Sequence, residues 1–113
     1  MGCVFCSIVE RRTPSQIVFD NGDVLGFHDA QPQAPVHILF VPKKHVSDIQ
    51  EFSENGPVDI RPLFLAANEI ARKLKIADRG YRLVINYKAE GGQTVDHLHL
   101  HLLGGRKMAW PPG

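Results

Sequence analysis

The sequence predicts an α+β architecture: a five-stranded antiparallel sheet with one long helix on a face and a short helix near the N terminus. Three observations carry it. The pair Asn21-Gly22 separates two apolar runs, which is the strongest short-range hairpin signal. Apolar residues recur three and four apart across 60–74, the period of an amphipathic helix. Runs of strand length stand before and after that helix, joined mostly by short loops, which favours antiparallel pairing with the helix segregated to one face. A chain of 113 residues is one domain's worth, so a single domain over 1–113 is expected.

In order, residues 5–10 form the short helix, stopped near Thr13-Pro14. Residues 17–19 and 24–27 make the hairpin, whose Asn-Gly turn asks for φ > 0 at both central positions. After a proline-bearing loop, 37–41 reads as a third strand, buried on both faces except at its first residue, and Pro42 ends it. Ile60, Leu63, Phe64, Ala67, Ile70, Ala71 and Leu74 mark the long helix, with Asp59 as N-cap, Pro62 in the first turn, and Arg72, Lys73 and Lys75 favourably near its C-terminal dipole. Gly80 breaks helix from strand, 81–86 is the fourth strand, 88–94 a Gly-rich loop and 96–103 the fifth strand.

Charge and termini narrow the partners. Thirteen Lys and Arg against twelve Asp and Glu leave a net charge of +1, too little for a polyanion-binding surface, so nucleic acid is not an expected partner. No apolar run approaches 18 residues and the first residues lack signal-peptide character, so neither a membrane nor export is expected and the chain reads as cytoplasmic with reduced thiols. Met1-Gly2 suggests myristoylation, but Cys6 stands where that motif needs Ser or Thr. Two cysteines are too few for a disulfide-built fold. Cys3 and Cys6 have metal-ligand spacing, although two further ligands would have to come from elsewhere. Six histidines are the excess that needs explaining.

Three of them alternate in Asp96-His97-Leu98-His99-Leu100-His101-Leu102-Leu103. On a strand, His97, His99 and His101 share one face at about 7 Å intervals while Leu98, Leu100 and Leu102 share the other, which becomes the core face. Three neighbouring imidazoles cannot all be protonated cheaply. At least one is therefore neutral near pH 7, fit to act as a metal ligand, or as a nucleophile and base. The bland alternative is an exposed polar face. Immediately before the row, Glu90-Gly91-Gly92-Gln93-Thr94 offers close backbone approach and side-chain donors for an anion. It is not a P-loop, because no Gly-Lys-Ser or Gly-Lys-Thr follows.

The His-apolar-His-apolar-His-apolar-apolar run at 97–103 resembles the signature of the histidine triad family. Asp29-Ala30-Gln31-Pro32-Gln33-Ala34-Pro35, Pro42-Lys43-Lys44-His45, Gly91-Gly92-Gln93-Thr94 and the block 104–113 resemble more specifically its nucleotide-binding phosphoramidase branch. The resemblance implies the histidine triad fold, with the sheet extended across a homodimer. It implies hydrolysis of the P–N bond of adenosine or guanosine 5′-phosphoramidates, AMP-lysine-type adducts included, through a nucleotidyl-histidine intermediate and with no catalytic cofactor. The purine nucleotide (AMP or GMP type) is thus the implied partner. Two other functions stay open: hydrolysis of dinucleoside polyphosphates by the same nucleophile, and an AMP-binding regulatory or scaffold role.

Carried over by position, His99 is the implied nucleophile. His101 contacts the phosphate and takes part in proton transfer, and His97 and His37 orient His99. Asp29, beside Ala30, matches the ribose contact; Asn86, Gly92, Gln93 and Thr94 match phosphate contacts. Phe5, Ile8, Phe27 and His28 fall where the base pocket lies. Trp110 is implied to reach the partner subunit's site. Ala109 departs from a position often His, and Asp96 from one often aromatic. Alternation sends Asp96 to the leucine side near the strand end, so it is expected to be solvated. Triad proteins outside this branch pair such cysteines with the His of a Pro-x-x-His segment and the first triad His. The corresponding set, Cys3, Cys6, His45 and His97, would be a closed Cys2His2 zinc site of structural kind.

Overall fold

A computed structural model describes residues 2–51, 56 and 59–113. Helix α1 spans Val4–Val9, followed by strands β1 (Ile17–Asp20), β2 (Val24–His28) and β3 (Val36–Pro42). A single 3-10 turn at Ile49–Glu51 precedes helix α2 (Arg61–Lys73), strand β4 (Tyr81–Val84), the one-turn helix α3 (Lys88–Gly91) and strand β5 (Leu100–Gly104). The five strands form one sheet in the order β1-β2-β3-β5-β4, every neighbouring pair antiparallel. The expected α+β architecture is the observed one. Among the described residues, no helix is long and apolar enough to cross a membrane.

Each face of the sheet has its own core. Helix α2 turns Leu63, Ala66, Ala67, Ile70 and Ala71 onto one face, where they meet Val24, Ile38, Phe40, Leu98, Leu100 and Leu102. That packing removes a continuous apolar stripe from water, the main source of helix stability in a domain of this size. Gly26 is obligatory beneath it, since a Cβ there would stand 2.7 Å from the Phe40 ring. On the opposite face, Phe5 and Ile8 of α1 pack with Leu25, Phe27, Leu39 and Val41.

Several boundaries differ from expectation. The hairpin forms, but neither Asn21 nor Gly22 takes positive φ. Instead the Asn21 side-chain oxygen accepts the backbone N–H groups of Asp23 (2.8 Å) and Val24 (2.7 Å), an Asx turn that closes the loop without the mirror-image backbone. Asp59 stands one residue ahead of the N-cap position, which Ile60 fills, yet its carboxylate still accepts the Arg61 N–H at 3.0 Å. Strand β3 includes Val36 and Pro42, and His37 is buried rather than exposed. Strand β4 ends at Val84, and the Gly-rich loop contains α3, which closes on Gly92 in the left-handed region (φ 84°).

The largest difference is at the fifth strand, which begins at Leu100 rather than residue 96: pairing with β3 stops at Phe40–Leu100, although β3 itself runs on to Pro42 beside β2. The chain bends at Asp96 and His97, yet the side chains of 97–100 still alternate between the two faces. The Leu98 N–H donates to the Val46 carbonyl at 2.6 Å, and Leu98, Leu100 and Leu102 all enter the α2-side core. The histidines are thereby sent to the α1 side. Asp96 is exposed, as expected.

Candidate active site

His97, His99 and His101 form a continuous row with further rings at either end. The His99 and His101 ring centroids lie 4.9 Å apart, and His37 lies 5.2 Å from His101. At the other end His45 stands 4.8 Å from His97. Phe5 presents its ring to both His97 (5.9 Å) and His99 (5.1 Å) and meets Phe27 at 5.4 Å. This is not an exposed polar face: His37, His97 and His99 are buried, and His101 is half-buried.

Each ring makes one hydrogen bond that determines which nitrogen carries its proton. His99 Nδ1 lies 2.7 Å from the His97 carbonyl, which can only accept, so Nδ1 is protonated and Nε2 keeps a free lone pair. His97 Nε2 lies 2.9 Å from the Pro42 carbonyl, so its bare nitrogen is Nδ1. His37 Nδ1 accepts the Gln33 backbone N–H at 3.0 Å, which places its proton on Nε2. That proton is donated to His101 Nδ1 at 2.9 Å. The proton of neutral His101 is therefore on Nε2, an atom that is buried without a partner. The result is a row of neutral rings in which a bare nitrogen on His99 adjoins an unsatisfied N–H on His101.

Burial keeps the rings neutral by disfavouring the charged form. It is the main cause of lowered pKa values at His97, His99 and His37. His101 is pulled down to about 4, by burial first and then by its neighbours His99 and His37. The Asp29 carboxylate, 3.4 Å from His37 Nε2, opposes the shifts of His37, His99 and His101 only in part.

Two sets of ligand-type atoms converge, each within 4.8 Å: Cys3, Cys6, His45 and His97, and Asp29, His37 and His101. In the first set, Cys3 Sγ and Cys6 Sγ lie 3.3 and 3.6 Å from His97 Nδ1, and Cys6 Sγ lies 3.2 Å from His45 Nδ1. Zinc arms of ordinary length at tetrahedral angles would place sulfur and nitrogen about 3.6 Å apart. The bare nitrogen of His97 faces the thiols while its N–H is held by a carbonyl, as a ligand imidazole requires. These residues fit a zinc ion. Burial, then the neighbouring Cys3 side chain, push the Cys6 thiol up to about 11, so the thiolate form needs a cation to stabilise it. The second set does not fit a metal as it stands, because the His37 nitrogen facing the others carries a proton fixed from behind by Gln33.

The remaining expected residues are distributed as follows. Asp29 accepts the Gln31 N–H on one oxygen (2.8 Å) and turns the other toward His37; Ala30 beside it is exposed. Asn86 is half-buried, and a Cβ at Gly91 would stand 3.7 Å from its backbone. The Gln93 side chain donates to the Ser47 (2.8 Å) and Val95 (3.0 Å) carbonyls and accepts the Lys88 N–H. Its amide is thus occupied in holding the loop, not free for a phosphate. Thr94 is exposed in a cleft shared with Cys3, His45 and Ser47. Phe5, Ile8 and Phe27 are buried core residues, and half-buried His28 ends β2. Trp110 is 82% exposed, on a tail tied to β4 by Arg82 donating to the Ala109 carbonyl at 2.9 Å. Sequence reasoning missed the Pro42 carbonyl, the Gln33 N–H and Arg106, whose role depends on backbone partners that no residue pattern encodes.

A sheet strand continuing a row of alternating imidazoles, kept neutral by burial and each oriented by a hydrogen bond to a backbone carbonyl or a neighbouring ring, defines a histidine triad protein. The family model for the HIT domain matches residues 10–108, and the chain belongs to that family. It is 46% identical, over 97% of this chain and 96% of the other, to an uncharacterized HIT-like protein of Synechocystis. Among solved structures, a HIT family hydrolase from Legionella pneumophila superposes with a TM-score of 0.95 at 42% identity, covering 99% of this chain and all of that one. A zinc-bound histidine triad family protein from Mycobacterium smegmatis matches with a TM-score of 0.81 at 30% identity, covering 94% of this chain and 76% of that one.

Proposed function

We propose that this chain hydrolyses the P–N bond of purine nucleoside 5′-phosphoramidates, AMP-lysine-type adducts included, and releases the nucleoside monophosphate. The observation that carries this reading is the pairing of a bare His99 Nε2 with a protonated, unpartnered His101 Nε2. His99 Nε2 attacks phosphorus and forms an N–P bond as the P–N bond to the amine breaks. The anionic phosphoryl group of the bound substrate favours the imidazolium form of His101; the leaving nitrogen keeps the bonding pair and takes the Nε2 proton of that imidazolium, which leaves His101 as a neutral ring. Positive charge developing on the His99 ring is met by the His97 carbonyl, already hydrogen-bonded to Nδ1. Water then attacks phosphorus, passes a proton to His101 and frees His99, so both rings return to their starting state.

Asp29 and Ala30 would hold the ribose; Asn86, Gly92 and Thr94 would surround the phosphate, with Gln93 keeping their loop in place. His28 and the edges of Phe5, Ile8 and Phe27 would border the base. The reading includes a single domain over 1–113, a cytoplasmic homodimer with the sheet continued across subunits, and Trp110 near the partner's site. Cys3, Cys6, His45 and His97 would hold a structural zinc, whose role is to bind α1 to the histidine row. Metal content of the purified protein checks this: one zinc per chain is expected, and metal-free protein whose melting ignores chelators would refute it.

The reading is tested with adenosine 5′-phosphoramidate and the His99→Ala variant. Wild-type protein should release AMP and carry a transient nucleotidyl adduct detectable by mass, and the variant should lose at least about a thousandfold in rate. Undiminished turnover by the variant would end the proposal. Faster turnover of a diadenosine polyphosphate than of the phosphoramidate would replace it with the dinucleotide reading, and AMP binding without turnover of either would favour a regulatory role.

A further inference from the structure

The proton on His101 Nε2 depends on a chain of contacts that begins outside the histidines. The Gln33 N–H fixes the His37 tautomer, and Gln33 belongs to an exposed loop, residues 29–35, between β2 and β3. An exposed loop does not hold one amide on a buried ring without restraint. Here the restraint comes from the segment after β5. Arg106 donates two hydrogen bonds to the Gln33 carbonyl, from Nε at 3.1 Å and Nη2 at 3.0 Å, and its Nη1 donates to the Lys107 carbonyl at 3.1 Å. Gly105, at φ 89°, lets the two segments close, because a Cβ there would stand 2.8 Å from Pro35. The planar guanidinium thus fixes the carbonyl from two nitrogens at once, a geometry an ammonium cannot copy.

We infer that Arg106 is a positioning residue: by gripping the Gln33 carbonyl it keeps the Gln33 N–H on His37 Nδ1, and so leaves His101 with its proton on Nε2. The relay runs from the Arg106 guanidinium to the Gln33 peptide, then His37, then His101, and every link is a hydrogen bond between 2.9 and 3.1 Å. If the grip is lost, the Gln33 N–H drifts and His37 is free to carry its proton on Nδ1. His101 can then place its own proton on Nδ1, facing His37, with nothing on Nε2 to give. The catalytic consequence rests on the phosphoramidase reading, whereas the tautomer relay does not.

The test therefore has two readouts. In wild-type protein labelled with 15N in its histidines, the ring shifts of His37 and His101 should show a protonated Nε2 and an unprotonated Nδ1. In Arg106→Met both rings should move toward a mixture of tautomers while His97, held by Pro42, does not. Arg106→Lys, which keeps the charge but not the fork, should show the same loss. Unchanged His37 and His101 tautomers in both variants would overturn the inference, whatever the activity. On adenosine phosphoramidate, kcat of Arg106→Met should fall about tenfold, a fraction of what a general acid supplies, with KM nearly unchanged. Added guanidinium ion at millimolar concentration should restore part of it. A tautomer shift in a protein that turns over no phosphoramidate would leave the relay standing and remove the proposed reaction.

Discussion

The segment 97–102 feeds two opposite faces of the same sheet, and the two faces are built on different physics. Leu98, Leu100 and Leu102 enter a core with α2 whose buried side chains are all apolar. His97, His99 and His101 face α1, and each of these rings is fixed by a directional hydrogen bond to a named backbone group or neighbouring ring. Apolar burial is proportional to area and indifferent to orientation, so it tolerates repacking. The histidine face tolerates none, since rotating one ring changes which nitrogen carries the proton on the next. Stability and chemistry are therefore separable here, though their residues alternate along one stretch of chain.

Paired substitutions break or sharpen that separation. His101→Gln keeps an acceptor for the His37 N–H and an N–H of its own but cannot give up a proton. It should lower phosphoramidate turnover by about 10²- to 10⁴-fold, the usual contribution of a positioned acid, with a melting curve close to wild type. Leu100→Ala should do the opposite. Removing a side chain only 1% exposed from the α2 core should cost about 2–5 kcal/mol in urea unfolding, while turnover per folded molecule stays near wild type. If Leu100→Ala lost activity without losing stability, the two faces would be one coupled unit.

The same contrast explains how much could be read from sequence. Alternation of period two placed the leucines on the core face and the histidines together, because side-chain direction is local information. The extent of β5 was not local, since its pairing with β3 stops at Phe40–Leu100 and the residues before it are held instead by the carbonyls of Val46 and Pro42. Burial of His37 was missed for the same kind of reason: its position faces the His101 ring from the neighbouring strand, across 64 residues of sequence. Asn21-Gly22 correctly marked a hairpin but not its turn geometry, because one asparagine oxygen replaced the backbone bonds of the expected turn. Gln93 looked like a free donor until the Ser47 carbonyl, 46 residues away in sequence, was found to occupy it.

The smallest effect separates the faces by acidity. His101 has an ordinary pKa of 6.5 and a folded value of about 4, lowered chiefly by burial; His37 is lowered for the same reason. Between those values the unfolded chain binds protons that the folded chain refuses. Unfolding is then favoured progressively as pH falls from about 6.5 toward 4, and stability rises again as pH is raised through the same window. Above 6.5 both states hold neutral rings and the contribution vanishes. The buried side chains of the leucine face carry no ionisable group, so their contribution is the same throughout. The urea midpoint of the wild type should therefore fall between pH 7 and pH 5, and His101→Gln should flatten that fall because one of the reluctant bases is gone. Equal slopes in the two proteins would mean that His101 takes up its proton as readily folded as unfolded, which contradicts a buried neutral ring beside His99.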